Sequence, residues 1–224
     1  MNLTLSKLIE AEEKASKLFD QIHVRGLICQ NKTEKDLNQE IFDLAFELFG
    51  IKKYWHKRIV RAGENTLYPY RENPENLMIN ENDILFLDFG PIFEDWEADY
   101  GRTYVLGKDP LKLKLKEDIE LAWFECRDYF KNQSSITGSQ LFSHAELIAK
   151  KYNWEFGGEI AGHLIGHYPH EKLANEDKAN YIHPKNQVDM LAPGKDGLKR
   201  EWILEIHFVD RNKKIGGFFE QLLR

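Results

Sequence analysis

Asp88 and Asp99 lie eleven residues apart, His163 and His170 seven apart, and Glu205 and Glu220 each sit in an apolar run. These two aspartates, two histidines and two glutamates, read together, suggest a two-metal hydrolase. In ENDILFLDFG the stretch Ile84, Leu85, Phe86, Leu87 has no polar alternation, as expected of a strand covered on both faces, and Asp88 interrupts it. Glu205 interrupts WILEIHFVD, and Glu220 follows Phe218 and Phe219 in GGFFEQLL. A carboxylate buried alone is costly or becomes neutral, so buried charges are normally paired or bound to metal. Strand alternation puts Asp99 on a face with Gly101, Thr103 and Val105, where a small residue and a hydroxyl leave room for an ion. Glu205 shares its face with His207, and Glu220 with Phe218 and Leu222.

The run GHLIGHYPHE adds His163, His167 and His170, with Gly162 and Gly166 allowing the backbone to bend tightly. Four carboxylates and one imidazole make an oxygen-rich donor set, suited to Mn, Fe(II), Co or Zn rather than to a structural thiolate zinc site. Bridging carboxylates hold two such ions about 3.5–4 Å apart, and a hydroxide between them is a nucleophile at neutral pH. Blander readings stay open for single residues. An aspartate at a strand end caps turns, and an ion pair with Arg102 or Arg58 would account for one glutamate.

The elements that must position these groups follow from periodicity. Leu8, Ala11, Ala15, Leu18 and Ile22 recur at helical spacing, with Glu12 and Glu13 off the stripe. Thr33 and Asp36 resemble an N-cap with an acidic first turn, and Gly50 is a stop for the helix carrying Leu37, Ile41, Leu44, Ala45 and Leu48. Strands are expected near Arg58 to Val60, at Ile84 to Phe89, Ile92 to Trp96 and Arg102 to Leu106. A second cycle has a helix from Pro110 to Phe130, another opened by Thr137 and Gln140, and strands around Trp202 to Val209 and Gly216 to Leu222. Helix, helix, strands thus occurs twice, over residues 1–107 and 108–224, without a letter-level repeat. Residues 172–199 are polar and carry Pro184, Pro193, Gly194 and Gly197, which reads as a long loop.

A chain of 224 residues suits one domain with a sizeable core. The net charge of -6, with no basic stripe, argues against a nucleic-acid partner. Cys29 and Cys126 are too few for a disulfide framework, which favours a reducing compartment. The first residues lack an apolar signal core and no run approaches about 20 apolar residues, so a cytoplasmic protein without a membrane partner is expected. HExxH, GxSxG and GxxxxGK[ST] are all absent.

Through LDFGPIFEDWEADYGRTYVLG, GHLIGHYPHE, LAPG followed by WILEIHFVD, and GGFFEQLL, the chain resembles the pita-bread metallopeptidases. That family includes methionine aminopeptidases, Xaa-Pro aminopeptidases and dipeptidases, and creatinase. The resemblance implies an α+β fold with two pseudo-symmetric helix-helix-strand halves around a curved antiparallel sheet. It implies one catalytic domain over residues 1–224, with no separate N-terminal domain. Asp88 would bind one metal with both oxygens, Asp99 and Glu220 would bridge two, and His163 and Glu205 would complete the second site. Glu205 would also shuttle a proton, His170 would contact the scissile amide, and His167 would lie on the substrate side. The expected cofactors are two divalent ions (Mn, Co, Fe or Zn), the partner a peptide or dipeptide, and the state a monomer or homodimer.

The implied activity is that of a metallo-aminopeptidase, with a metal-bridging hydroxide hydrolysing the N-terminal peptide bond. A Xaa-Pro aminopeptidase or dipeptidase is the alternative within enzymes. A peptide-binding module or a creatinase-like C–N hydrolase is the alternative of another class. One departure stands out: the family's further histidine falls at Tyr70, eighteen residues before Asp88, so either Tyr70 substitutes in part, or His56 or another group serves, or the chemistry is slow or different. The strand also reads EIH where methionine aminopeptidases often have a glutamate followed by proline.

Overall fold

A computed structural model describes residues 3–68, 70–169, 178–194 and 197–224. Helix α1 (Leu3–Val24) buries the expected stripe of Leu8, Ala11, Ala15, Leu18 and Ile22. Glu12, expected off that stripe, is buried as well. Its carboxylate accepts the backbone N–H of Leu222 at 2.6 Å and the Arg224 guanidinium at 3.1 and 3.3 Å, tying the first helix to the end of the last strand. Removing it leaves a buried amide unsatisfied. Glu12→Ala is therefore expected to destabilise the protein by about 1–3 kcal/mol, read as a lower urea midpoint at unchanged m-value.

Helix α2 (Glu34–Phe49) starts at a reciprocal capping box between Thr33 and Asp36 and stops at Gly50, whose φ of 68° is left-handed. Strands β1 (Ile59–Ala62) and β2 (Ile84–Phe89) follow. The single strand expected from Ile92 to Trp96 is instead a tight hairpin, β3 (Ile92–Phe93) and β4 (Trp96–Glu97). Glu94 and Asp95 turn it with φ of 52° and 67°, the positive values that a two-residue hairpin loop requires. Strand β5 (Tyr100–Val105) completes the first half.

Helix α3 (Pro110–Lys131) is capped by the Asp109 side chain with proline in its first turn, and α4 (Gly138–Lys151) by the Thr137–Gln140 box. Then come β6 (Glu155–Phe156), β7 (Gly162–Ile165), β8 (Glu201–Asp210) and β9 (Ile215–Leu222). Strand β7 occupies what the sequence suggested was a glycine-rich bend. Gly162 holds it against β8 with φ of 137°, and a Cβ there would lie 2.0 Å from the Ile203 carbonyl oxygen. Among the described residues, no helix is long and apolar enough to cross a membrane.

All pairings in the main sheet are antiparallel, in the order β1-β2-β5-β9-β8-β6, with β7 also on β8. The first half's strands are contiguous, the second half's are contiguous, and β5 meets β9 at the join. Leu85, Leu87 and Phe89 pack into a core with Leu18, Phe19, Leu37 and Ile41 of α1 and α2. Trp202, Leu204, Ile206 and Phe208 do the same with Trp123, Leu141 and Ala145 of α3 and α4. Alternation then turns Asp88, Glu205, His207 and Glu220 to the opposite face of the sheet. The helices thus bury one face and leave the polar residues to share the other.

Candidate metal centre

Register sets the site. Reading across the sheet, Ile59 lies opposite Asp88, Asp88 opposite Gly101, Gly101 opposite Glu220, and Glu220 opposite Glu205. Three carboxylates from three strands therefore stand in one row, and Asp99, just before β5, enters beside Gly101. That glycine is a steric requirement, since a Cβ there would lie 2.6 Å from the Phe218 ring and 3.0 Å from Glu220 Cβ. Directly opposed like charges destabilise a sheet, so the row needs positive charge among its oxygens.

Asp99 is the hub. Its Oδ2 lies 3.1 Å from His163 Nε2 and its Oδ1 3.1 Å from His56 Nε2. His163 Nε2 is also 3.8 Å from Glu220 Oε1, and His56 Nε2 is 3.5 Å from Asp88 Oδ1. Two groups, His56 with Asp88 and Asp99, and Asp99 with His163 and Glu220, each bring one donor atom per residue within 4.8 Å of the others. Glu205 joins from β8, directly opposite Glu220 on β9 and lining the same cavity.

The electrostatics follow. Burial, with the repulsion of its neighbours, pushes Asp88 up to about 7 and Glu205 up to about 7, and lifts Glu220 well above the carboxylate range. Burial works against ionisation of Asp99 too, but the charge of His56 and hydrogen bonds from both imidazoles hold it at about 2. Burial likewise disfavours charge on His56, which Asp99 and Asp88 nonetheless raise to about 9. Asp88 Oδ1 and Glu220 Oε2 are buried and make no hydrogen bond. Orphaned oxygens beside imidazole nitrogens, in a row of opposed carboxylates, fit divalent cations.

The bland alternatives fail on geometry. Arg102 lies flat on Tyr100 and Phe219, 3.7 and 3.8 Å from the ring centroids, and donates to the carbonyl oxygens of Gly101 and Glu220. Arg58 donates to Asn38 and packs on Phe42 and Tyr54. Neither guanidinium pairs with a glutamate of the row.

A cavity of about 320 Å³ opens over the row, with Ile59, Phe86 and Phe218 as one apolar wall. Tyr70 lines it, edge-on to His56 at 5.7 Å, its hydroxyl accepting the Lys57 N–H at 3.4 Å. His167 is not among the described lining residues; it is exposed and edge-on to Trp96 at 5.1 Å. His170 lies outside the described residues. His56, marked by the sequence only as a stand-in for the role at Tyr70, has a side chain 6% exposed and placed against two carboxylates. His207, seen in sequence only as a neighbour of Glu205, also lines the cavity, and its Nε2 donates to Thr66 O at 2.8 Å.

His207 makes the fold sensitive to acid. Burial depresses its imidazole from 6.5 to about 4, so it is neutral in the folded protein and protonated in the unfolded chain across that interval. The unfolded state then binds more protons, and stability falls as pH drops from about 6.5 to about 4, by about 3 kcal/mol in all. In metal-stripped protein, His207→Gln is expected to flatten that part of the stability profile, measured by urea denaturation at stepped pH.

Fold and site together define an α+β protein of the pita-bread architecture with a carboxylate–imidazole centre between its halves. Its structure superposes on the X-Pro aminopeptidase of Thermotoga maritima with a TM-score of 0.76 at 19% identity, over 97% of this chain and 56% of that one. It superposes on the methionine aminopeptidase of Rickettsia prowazekii with a TM-score of 0.72 at 16% identity, over 97% and 91%. In sequence it is 27% identical over 195 residues to a Mycoplasma genitalium protein assigned as a Xaa-Pro aminopeptidase, covering 83% of this chain and 53% of that protein. The chain spans about half the length of the curated relatives it matches. Residues 6–197 match the model of metallopeptidase family M24, and the chain belongs to that family.

Proposed function

We propose that this chain is a dinuclear metal-dependent peptidase that hydrolyses the bond after the first residue of a peptide with a free N-terminus. One observation carries the reading: carboxylates from β2, β8 and β9 and the segment before β5 converge with His163 around oxygens that have no other partner. Bound there, two divalent ions would supply Lewis acidity toward a peptide carbonyl and a water acidic enough to attack near neutral pH.

The chain's own residues divide the remaining work. Asp88, Asp99 and Glu220 would hold and neutralise the cations, and His163 and Glu205 would complete the set on the β8 side. Glu205, opposite Glu220 in the sheet and lining the cavity, is the group suited to take a proton and return it to the leaving amine. Ile59, Phe86 and Phe218 receive an apolar substrate side chain. Tyr70 presents a phenol that hydrogen-bonds substrate without carrying charge.

A proline-directed form is favoured by two facts: several relatives bear the names Xaa-Pro aminopeptidase or dipeptidase, and the apolar wall suits a pyrrolidine ring. Protein loaded with Mn or Co is expected to cleave free peptides but not their N-acetylated forms, and the ratio of Xaa-Pro to Met-Ala turnover decides between the two specificities. Failure to cleave any member of a broad panel, with two ions bound, would make the chain a binding module.

A further inference from the structure

We infer that His56 is a metal ligand, giving the ion held by Asp88 and Asp99 an imidazole of its own, so that each of the two ions has one nitrogen donor. The inference rests on the dinuclear reading above and extends it to a residue outside the five that the sequence motifs mark.

Two imidazoles flank Asp99 symmetrically. His163 Nε2 is 3.1 Å from one oxygen of that carboxylate and His56 Nε2 is 3.1 Å from the other. Each ring is anchored identically at its far side. His163 Nδ1 lies 2.8 Å from the carbonyl oxygen of Leu164, and His56 Nδ1 lies 2.7 Å from that of Lys57. A carbonyl only accepts, so both Nδ1 atoms carry a proton, and each Nε2, facing Asp99, is the nitrogen that a cation would take in place of its proton. An Nδ1–H on a backbone carbonyl is the support that fixes the tautomer and orientation of a ligating histidine. The second carboxylate near His56 Nε2 is Asp88, at 3.5 Å, whose Oδ1 has no hydrogen bond.

The surroundings hold the ring in place. Trp55 N–H donates to the Gly90 carbonyl at 3.0 Å and its indole Nε1 to the Ala98 carbonyl at 3.0 Å, fastening the segment across the turn after β2. The indole meets the His56 ring edge-on at 4.4 Å and the His163 ring at 5.1 Å. Gly90 is what admits His56, because a Cβ at that position would fall 2.2 Å from His56 Cδ2. A ring that is 6% exposed, clamped by an indole and aimed at two carboxylates is arranged as His163 is. Two nitrogen donors also shift the preferred metals away from Mn toward Co, Fe and Zn.

The competing account is an imidazolium that pairs with Asp88 and Asp99 while the ion takes oxygen donors alone. Proton NMR of the full chain loaded with Co(II), in water, separates the two, because the Nδ1–H of every ligating imidazole is shifted far outside the normal range by the paramagnet. Two such exchangeable resonances are expected from the wild type. His56→Gln is expected to lose one of them and to weaken binding of one Co(II) equivalent at least tenfold by titration calorimetry. Two bound ions with a single shifted resonance in the wild type would overturn the role of His56 and leave the dinuclear reading standing. Absence of any bound Co(II) would overturn the dinuclear reading and the inference with it. The wild-type count stands whether or not the variant folds.

Discussion

Asp99→Ala is expected to cost more than about a thousandfold in kcat/KM, equivalent to about 4 kcal/mol of transition-state stabilisation, and to empty the site of both ions. The size follows from its position as hub. Each Asp99 oxygen faces a different imidazole, and its side chain is 2% exposed, so neither water nor a neighbouring acid can take its place. Asp99 is also the carboxylate held at about 2 while Asp88 and Glu205 are raised to about 7. Its loss therefore removes the negative charge that both histidines depend on and leaves acids that prefer to be neutral. Metal analysis after dialysis against Co(II), beside kcat/KM on a cleaved peptide, provides the check. A variant that retained two ions and wild-type turnover would show that the hub is dispensable.

Much of this arrangement is visible in the sequence because burial leaves a mark there. Asp88, Glu205 and Glu220 interrupt apolar strands, and the interruption is itself the signal, since nothing but charge compensation justifies a carboxylate in such a run. The helices are equally legible: α2 and α4 open on capping boxes that depend on residues three apart. What the sequence hides is contact between distant segments. Glu12 looks like a solvent-side residue until the end of β9 supplies an amide for it, 210 residues later in the chain. His56 lies in the charged stretch KKYWHKR, with no periodicity to assign it a face, and its position depends on the absence of a side chain at Gly90. Strand β7 is short and glycine-led, so its pairing with β8 outweighs a local pattern that reads as a bend.

The row is built across strands, where the backbone fixes its spacing. Residues directly opposite one another in a sheet are held at a spacing set by the backbone, so the separation of Asp88, Glu220 and Glu205 does not depend on flexible side chains finding each other. Gly101 is the blank in the row, and the space it leaves is taken by the edge of the Phe218 ring and the Cβ of Glu220. Trp123 supports this from behind, its indole N–H donating to the Leu204 carbonyl at 2.8 Å, one residue before Glu205. The helical layer thus sets the strand that carries Glu205, the glutamate proposed for proton transfer.

Glu205→Gln isolates that transfer. The amide keeps the size and one acceptor oxygen of the glutamate but cannot take up a proton, and Glu205 lies outside the two tight donor groups around Asp99. The variant is therefore expected to keep at least one bound ion and its fold, while kcat falls by about 10²–10⁴-fold, the usual range for a lost general acid–base. KM should change little, so that kcat and kcat/KM fall together, the pattern of an interaction made only in the transition state. A rise in KM with kcat preserved would instead assign Glu205 to substrate binding. Loss of both ions would assign it to the cage alone, with the proton carried elsewhere. Steady-state kinetics on one cleaved peptide, read beside metal content, distinguishes these outcomes.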